Sequence, residues 1–259
     1  MSEADREADA MASARPVVIV TGGSRGIGAA TVLRVARAGH DVVFTYRTDA
    51  AAAERVAASA RQLGADALPV QAEATTDAGI NAPFAAARER FGRLDAVVCN
   101  VGVTTRFAPL ARTPVDEIRQ TIDVNFTATV LTARRAVQEF ERAGAPGVIV
   151  TVSSGAATLG SPGEYAHYAA SKAAVDAFTM GLGKEVGPLG IRVVGVAPGL
   201  VATELHARTG DAGRVERMAP GIPLQRAADP DEIASAIEWL LSPDASYVTA
   251  TTLRVAGGR

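Results

Sequence analysis

The chain is poor in the residues that mark several common classes of protein. Its one cysteine, Cys99, excludes an internal disulfide and is typical of a reducing compartment, so we expect a cytoplasmic location. Its three histidines, at positions 40, 167 and 206, are scattered along the sequence and predict no metal site. Its formal net charge of −2 lacks the basic excess of nucleic-acid-binding proteins.

We also expect neither a membrane span, nor a leader sequence, nor a linker between domains. Polar breaks such as Pro198-Gly199, within residues 193–202, leave no stretch suited to span a membrane. Residues 1–14 are small and acidic and have no apolar core, which predicts a disordered tail and not a signal peptide. Without an internal repeat or a low-complexity tract, residues 15–259 are expected to form a single domain with a large core.

Strand and helix patterns alternate along the rest of the chain. Short β-branched runs predict strands, and longer amphipathic or alanine-rich segments predict helices. This alternation predicts an α/β fold of the Rossmann type, a doubly wound parallel sheet of about seven strands in three layers. The predicted strands are 16–20, 42–46, 67–71, 96–100, 148–153, 192–197 and 252–255, and the predicted helices are 27–38, 50–63, 77–91, 115–142, 165–186 and 231–241.

The first strand leads into a glycine-rich turn, Thr21-Gly22-Gly23-Ser24-Arg25-Gly26-Ile27-Gly28. Glycine permits the backbone angles of a tight turn and lets a pyrophosphate or a helix come close. The N–H groups at the start of the following helix would then face an anion. The spacing differs from the commonest dinucleotide fingerprint, so the turn alone is also compatible with an ordinary glycine-rich connection.

A second motif, Tyr168-Ala169-Ala170-Ser171-Lys172, places a phenol and an amine four residues apart on one face of a predicted helix. An ammonium about 6 Å from the phenol, at an effective dielectric constant of about 20, favours the phenolate by roughly 3 kcal/mol, or about two pKa units. The shift would bring the tyrosine pKa towards the range of a general acid or base near neutral pH. Taken alone, the motif is also compatible with a surface Tyr/Lys pair.

Together the two motifs resemble the short-chain dehydrogenase/reductase family. The glycine turn meets the family pattern Thr-Gly-x-x-x-Gly-x-Gly, and the second motif meets its Tyr-x-x-x-Lys. Ser154 matches the family's catalytic serine, with Ser153 as its rival, and we favour Ser154 because relatives with a double serine usually use the second. Three more family positions are matched by Asn125, by Pro198-Gly199 and by Thr203.

The resemblance implies an oxidoreductase that transfers hydride between a nicotinamide cofactor and a small carbonyl or alcohol substrate. Tyr168 is implied to be the general acid/base, Ser154 to polarise the substrate oxygen, Lys172 to lower the tyrosine pKa and hold the nicotinamide ribose, and Asn125 to support a water chain to Lys172. The implied cofactor-binding residues are Gly22, Ser24, Arg25, Gly26, Ile27, Gly28, Tyr46, Arg47, Glu73, Asn100, Gly102, Tyr168, Lys172, Pro198, Gly199, Val201 and Thr203.

The family includes 3-oxoacyl-thioester reductases and sugar or alcohol dehydrogenases, and its fold does not choose among their substrates. An NAD-dependent sugar or alcohol dehydrogenase is therefore one alternative. A dinucleotide-sensing protein without turnover is another, against which the complete set of catalytic positions argues. The resemblance also implies a homo-oligomer, most often a tetramer, that pairs through the helices near 115–142 and 165–186.

Two positions depart from the family pattern near the cofactor. The usual Asn-Asn-Ala-Gly after the fourth strand is Cys99-Asn100-Val101-Gly102, which we expect to alter packing near the nicotinamide ribose. The usual Asp after the third strand is missing from Ala72-Glu73-Ala74, where Glu73 is the candidate substitute.

The end of the second strand bears on the choice of cofactor. Tyr46 stands where an acidic residue would bind the ribose of NAD(H), and Arg47 follows it. Arg47 and Arg25 would suit a 2′-phosphate by charge and bidentate geometry, which favours NADP(H). Alternatively, Arg47 is a solvated loop charge and Asp49 reaches the ribose of NAD(H), but we interpret Asp49 as a helix N-cap.

The remaining conspicuous residues have structural interpretations. His167 adjoins Tyr168 but points about 100° away from it around the helix, so we do not expect a catalytic base. Cys99 is expected to be a buried thiol and Trp239 a core residue. Tyr165 either lines the substrate mouth or packs in the interior. By the resemblance, residues 204–219 form a mobile substrate lid.

Overall fold

The computed structural model describes residues 15–203, 209, 211 and 213–259. The predicted tail, residues 1–14, and much of the predicted lid lie outside these described residues.

Seven parallel strands form one sheet in the order β3-β2-β1-β4-β5-β6-β7, which confirms the predicted doubly wound topology. The chain order reverses direction between β1 and β4, and ligands in such sheets bind beyond the carboxyl ends of the strands at this switch point. The strands are β1 Val17–Val20, β2 Asp41–Tyr46, β3 Ala67–Gln71, β4 Ala96–Cys99, β5 Gly147–Val152, β6 Ile191–Pro198 and β7 Thr251–Val255.

Helices cover both faces of the sheet. They are α1 Gly26–Arg37, α2 Ala50–Gln62, α3 Asp77–Phe91, α4 Val115–Ile122, α5 Ala128–Ala143, α6 Ala156–Leu159, α7 Ala166–Val186, α8 Arg214–Met218 and α9 Pro230–Leu241. Short 3₁₀ turns lie at Leu110–Arg112, Gly187–Leu189, Ala219–Gly221 and Pro243–Ala245.

Two apolar cores result, because successive side chains of a strand point to opposite faces of the sheet. Val18 and Val20 of β1 belong to the core under α1, α2 and α9, where Ile233 is fully buried. Val17 and Ile19 belong to the core on the other face, under α3, α5 and α7. The sheet is thus buried on both sides at β1, which fits the uninterrupted apolar run of this strand.

Local capping explains where two of the helices begin. The Asp49 carboxylate accepts a hydrogen bond from the Ala52 N–H at 2.8 Å, so Asp49 is the N-cap of α2, as the sequence predicts. Thr76 caps α3 in the same way through the Gly79 N–H, at 3.1 Å.

The predicted helix over residues 115–142 is present, but it is not regular along its whole length. α4 and α5 are separated by a single π-helical turn, Asp123–Thr127, in which the hydrogen bonds skip one extra residue. Asn125 lies in this turn and is fully buried. Apolar periodicity alone does not reveal such a turn, because the segments on both sides remain helical.

The prediction that Trp239 lies in the core is wrong, because its side chain is 42 % exposed. α9 buries the stripe formed by Ile233, Ile237 and Leu240, and Trp239 is two residues beyond Ile237, on the far side of the helix. Within the described part of the chain, no helix has both the length and the apolar character needed to cross a membrane.

Candidate active site

A cavity of about 430 Å³ lies at the carboxyl ends of the strands, and the segment that follows each of the seven strands lines it. The structure brings every predicted cofactor-binding residue and Ser154 to this one cavity. Asn125 alone, among the predicted site residues, lies behind the wall and not on it.

The glycine turn requires glycine for reasons of both conformation and space. Gly22 and Gly26 have left-handed φ angles of +68° and +53°. A Cβ on Gly28 would lie 2.1 Å from the Gly22 carbonyl oxygen, so no other residue fits without movement of the backbone. Gly23, which was not predicted from the sequence as a site residue, is equally constrained, because a Cβ there would lie 2.6 Å from Phe44.

The N-terminus of α1 is open to an anion. Its N-cap, Arg25, makes no side-chain capping hydrogen bond, and the first turn contains no acidic residue. The first N–H groups of a helix have no partner within the helix, and they carry the positive end of its dipole. A turn in which a Cβ would clash, followed by an uncapped helix start, fits the pyrophosphate of a dinucleotide.

Asn100 holds the glycine turn against β4. Its side-chain Nδ2 donates to the carbonyl oxygens of Thr21, at 3.0 Å, and Gly22, at 3.2 Å. Its backbone N–H donates to Thr21 Oγ1 at 2.9 Å. The preceding Cys99 is 2 % exposed, and burial raises its thiol pKa to about 12, so this departure from the family pattern places an unreactive packing residue in β4.

The end of β2 places a cation at the cavity and no carboxylate. Tyr46 and Arg47 line the wall, and no carboxylate of the described residues lies within ion-pair distance of the exposed Arg47 guanidinium. Asp49, the rival for a ribose contact, accepts the capping hydrogen bond of α2. Glu73 lines the wall next to β3, and its carboxylate accepts from the Thr75 hydroxyl at 3.3 Å.

The two serines after β5 point in different directions. The Ser153 hydroxyl donates to the Lys172 carbonyl oxygen at 3.1 Å and is buried in the fold. The Ser154 hydroxyl hydrogen-bonds to the Tyr168 side chain and accepts from the Ala156 N–H at 3.2 Å. This geometry favours Ser154 over Ser153 as the partner of Tyr168.

Burial dominates the protonation of the Tyr168–Lys172 pair. It raises the pKa of Tyr168 to about 12, although the Ser154 hydrogen bond acts in the opposite direction. It lowers the pKa of Lys172 to about 8, against the attraction of Asp176. The expected lowering of the tyrosine pKa is therefore absent from this structure, because the cost of removing a phenolate from water exceeds the opposing effect of the Ser154 hydroxyl.

These protonation states have a direct chemical meaning. At neutral pH the Tyr168 phenol keeps its proton, which is the state that donates to a carbonyl oxygen. The Lys172 ammonium donates to the Val152 carbonyl oxygen at 2.8 Å, which fixes it beside β5. To act as a base, Tyr168 needs further positive charge close to its oxygen.

Asn125 holds the loop that follows β4. Its side-chain oxygen accepts from the Val103 N–H at 2.8 Å, and its amide donates to the Val103 carbonyl oxygen at 3.0 Å. The same amide also donates to the Ser171 hydroxyl at 3.2 Å. With these contacts Asn125 positions the cavity wall next to Lys172. Its predicted support of a water chain to Lys172 stays a prediction.

One end of the cavity contains Tyr165 together with Phe107 and Arg214, two residues that were not predicted from the sequence as site residues. Tyr165 both lines the cavity and packs, since its ring stacks on Phe107 at 4.8 Å and meets the Tyr168 ring edge-on at 5.0 Å. Arg214 of α8 lies 4.2 Å above Phe107 and binds both carboxylate oxygens of Glu164, at 2.8 and 2.7 Å. Little in the sequence indicates that Arg214 lines the cavity, because it falls in the polar stretch that was predicted only to form a lid.

His167 is not part of the cavity wall. It is 7 % exposed, its Nε2 lies 3.1 Å from the Thr105 hydroxyl, and burial lowers its pKa. It is a packing residue of α7, in agreement with the sequence interpretation.

Comparison with known proteins covers nearly the whole chain. The family model described as enoyl-(acyl carrier protein) reductase matches residues 22–259. An uncharacterized oxidoreductase, YgfF, of Escherichia coli (strain K12) is 42% identical over 245 residues, which cover 94% of this chain and 99% of that protein.

Solved structures also match nearly the whole chain. A 3-ketoacyl-(acyl-carrier-protein) reductase from Brucella melitensis, complexed with NADH, has a TM-score of 0.87 and 32% identity, covering 94% of this chain and 98% of that chain. A short chain dehydrogenase from Burkholderia cenocepacia J2315, in complex with NADP, has a TM-score of 0.86 and 31% identity, covering 94% of this chain and 97% of that chain.

Proposed function

Because the chain belongs to the short-chain dehydrogenase/reductase family of oxidoreductases, we propose that it interconverts a carbonyl and an alcohol with NADP(H) as the preferred cofactor and Tyr168 as the general acid/base. This proposal is supported mainly by one observation: the Ser154–Tyr168 pair, the buried Lys172 and the glycine turn all line the same cavity, and the helix that follows the turn begins without a side-chain cap.

The protein groups divide the reaction among them. When bound, the nicotinamide supplies or accepts the hydride at the substrate carbon. Ser154 donates a hydrogen bond to the substrate oxygen, and Tyr168 gives that oxygen a proton during reduction or removes it during oxidation. Lys172, anchored to the Val152 carbonyl, places a positive charge beside Tyr168 and binds the nicotinamide ribose.

The rest of the site orients these groups. The α1 N-terminus would bind the pyrophosphate, and Asn100 keeps the glycine turn in place for it. Asn125 fixes the loop after β4 through Val103, and this loop forms part of the wall next to the reacting groups.

The preference for NADP(H) rests on charge at the end of β2. Relatives of similar distance have been solved with NADH and with NADP, so membership of the family leaves this choice open. Here Tyr46 replaces the acidic residue, Asp49 caps α2, and the exposed Arg47 guanidinium is available to a 2′-phosphate. Arg25 lines the same region of the cavity and would add a second guanidinium.

We extend the proposal to assembly and location. The long helices α5 and α7 are rich in small apolar residues, and Met180 on α7 is 46 % exposed, which favours pairing of these helices in a homotetramer. Residues 15–259 would form the single domain of each subunit. The free thiol of Cys99 is compatible with the cytoplasm, and the near-neutral charge with a protein that does not bind nucleic acid.

One panel tests the chemistry. Purified protein is mixed with carbonyl compounds and NADPH or NADH, and with alcohols and NADP⁺ or NAD⁺, while nicotinamide absorbance is followed. We expect turnover with at least one pair and its loss in Tyr168→Phe. A complete lack of turnover, combined with tight nucleotide binding, would support the dinucleotide-sensing alternative and contradict the proposed enzyme.

A further inference from the structure

Two aromatic side chains, Phe107 and Tyr165, form an apolar surface at the end of the cavity that lies beside Tyr168. Their rings are stacked, with centroids 4.8 Å apart, and both residues line the cavity. We call this pair the aromatic wall. Both residues are only half-buried, so the aromatic wall keeps apolar surface in contact with water. Covering such surface with an apolar ligand is favourable.

The aromatic wall reaches the reacting groups. The Tyr165 ring meets the Tyr168 ring edge-on, with centroids 5.0 Å apart. Tyr168 forms a small apolar cluster with Ala156 and Ala169, apart from the two cores of the sheet, and Tyr165 packs against this cluster. When a carbonyl oxygen meets Tyr168, one of the two substituents on the carbonyl carbon can therefore lie against the aromatic wall.

Apolar side chains continue the lining beyond the aromatic wall. Leu159 of α6 lines the cavity and is 44 % exposed, and Val103 lines it from the loop after β4. Pockets for small molecules are lined mostly by apolar and aromatic side chains, and a few polar groups fix the orientation of the ligand. Here Ser154 and Tyr168 supply such polar groups, and the aromatic wall supplies the apolar surface.

Several contacts hold the aromatic wall in one arrangement. The Ala108 N–H, next to Phe107, donates to the Glu164 carbonyl oxygen at 2.8 Å. The Arg214 guanidinium lies 4.2 Å above the Phe107 ring and donates to the Tyr165 hydroxyl at 3.3 Å. Arg214 is itself fixed by its bidentate ion pair with Glu164 and is 3 % exposed. A binding surface that is already ordered loses little conformational entropy when a ligand binds.

The aromatic wall is separate from the region proposed to bind the 2′-phosphate of the cofactor. Phe107 follows β4 and Tyr165 follows β5, whereas Arg47 follows β2. In the sheet, β1 lies between β2 and the pair β4-β5. The aromatic wall and Arg47 are thus at different ends of the cavity, and the aromatic wall remains available to the substrate.

We propose that the substrate is a carbonyl compound, or the corresponding alcohol, with an aromatic or similarly flat apolar group next to the reacting carbon, and that Phe107 and Tyr165 bind this group. The inference rests on the proposed function, because it identifies the substrate class of the same site. Phe107 and Tyr165 would then be specificity residues, which select among carbonyl compounds and take no part in the proton transfer.

The experiment compares carbonyl compounds with and without a flat apolar group. Two pairs serve: 2-naphthaldehyde against propanal, and 2-acetylnaphthalene against butanone. Each is reduced with whichever nicotinamide cofactor gives the faster turnover, so the outcome does not depend on the cofactor preference. We expect kcat/KM for the aromatic member to exceed that for the aliphatic member by about tenfold to a hundredfold, the range for burying an apolar ring.

Four variants assign this aromatic/aliphatic ratio to the aromatic wall. Phe107→Leu and Tyr165→Leu keep an apolar side chain and remove the ring, so each should lower the ratio by about two- to tenfold. Phe107→Tyr keeps the ring and should retain most of the ratio. Phe91→Leu is the matched control: it removes a partly buried ring at the end of α3, away from the cavity, and should leave the ratio unchanged. The ratio is the readout because damage to folding, to the cofactor site or to Tyr168 affects both members of a pair.

A further measurement needs no variant. Naphthalene-2-methanol and its saturated counterpart, decahydronaphthalene-2-methanol, are compared as inhibitors of propanal reduction by the wild type. The two alcohols differ in flatness and aromatic character, and we expect the flat alcohol to inhibit at a several-fold lower concentration. Equal inhibition by the two would overturn the inference even if the leucine variants did not fold.

The outcomes separate this inference from the proposed function. Turnover of the aliphatic members at least equal to that of the aromatic members in the wild type overturns the inference and leaves the enzyme intact. A wild-type ratio in both Phe107→Leu and Tyr165→Leu also overturns it, because the aromatic wall would then only pack.

Absence of turnover with every carbonyl compound contradicts the proposed function instead. The aromatic wall is then tested by calorimetry with the same two alcohols and NADP⁺ present. We expect naphthalene-2-methanol to bind several-fold more tightly than the saturated alcohol in the wild type, and to lose this advantage in Phe107→Leu. Equal affinity for the two alcohols overturns the aromatic wall as a binding site.

Discussion

Replacing Lys172 with methionine should stabilise the fold and abolish turnover at the same time. Lys172 is 3 % exposed, so its ammonium has been taken almost completely out of water. Its pKa falls from the ordinary 10.5 to about 8, which at 1.36 kcal/mol per pKa unit corresponds to a cost of about 3 kcal/mol at neutral pH. Methionine has a similar length and carries no charge.

The expected gain in stability is smaller than the cost of burying the Lys172 ammonium. The variant also loses the hydrogen bond from the Lys172 ammonium to the Val152 carbonyl oxygen, 2.8 Å long, which contributes roughly 1.5 kcal/mol. We therefore expect Lys172→Met to raise the free energy of unfolding by about 2 kcal/mol at pH 7, from these two opposing magnitudes.

The sign of the pH dependence follows from linkage. Below pH 8 the amine is protonated in both the folded and the unfolded state, so its cost to the fold is constant. Between pH 8 and 10.5 the unfolded state binds more protons, and the wild type gains stability as the pH rises. The advantage of Lys172→Met should thus shrink by about 2 kcal/mol between pH 7 and about pH 9.5.

Urea unfolding followed by circular dichroism measures this difference at both pH values. All samples are compared at one protomer concentration, because the stability of an oligomer depends on concentration. Lys184→Met is the matched control: Lys184 is the only other lysine of the chain, lies exposed on the same helix, and should change stability by less than about 0.5 kcal/mol. A Lys172→Met protein that is less stable than the wild type at pH 7, or whose difference does not vary with pH, would refute the reasoning.

Three further expectations concern the site and the assembly. In steady-state assays, Tyr168→Phe should lower turnover at least about a hundredfold while nucleotide still binds, and equal rates for this variant and the wild type would exclude Tyr168 as the acid/base. In the same assays, Ser154→Ala should lower activity more than Ser153→Ala. Arg47→Ala should weaken NADPH binding by about ten- to a hundredfold and leave NADH nearly unchanged in calorimetry, a result that added salt should diminish; equal wild-type affinities would make Arg47 a solvated charge. Light scattering at micromolar protein should give the mass of four chains, and a monomer would contradict pairing through α5 and α7.

Structural features that depend on neighbouring residues in the sequence could be predicted closely. β3 and α3 have the predicted bounds, 67–71 and 77–91, because a short apolar run and a capping threonine each act over a few residues. The N-cap role of Asp49 follows in the same way from its neighbours. The glycine turn was readable because its spacing fixes backbone geometry and not distant contacts.

Features that depend on distant contacts could not be read. The pKa of Tyr168 is governed by burial, whereas the spacing to Lys172 reveals only the charge of a neighbour. Arg254 reaches Thr158 and Gly155 across 96 and 99 residues of sequence, and nothing local marks it as part of the cavity. The prediction for Trp239 was wrong for a different reason: the exposure of its side chain depends on which face of α9 packs against the sheet.

The π-helical turn between α4 and α5 gives the protein an unusual sensitivity to deletions. Loss of any one residue from Asp123–Thr127 would let α4 and α5 join as a regular helix. Because an α-helix advances 100° per residue, α5 would then be rotated by about that angle relative to α4. Either Asn125 would leave Val103, or Ala133 and Phe140 would leave the core. Loss of a single residue would thus detach the cavity wall from the fold, so this segment should keep a constant length wherever the site is retained.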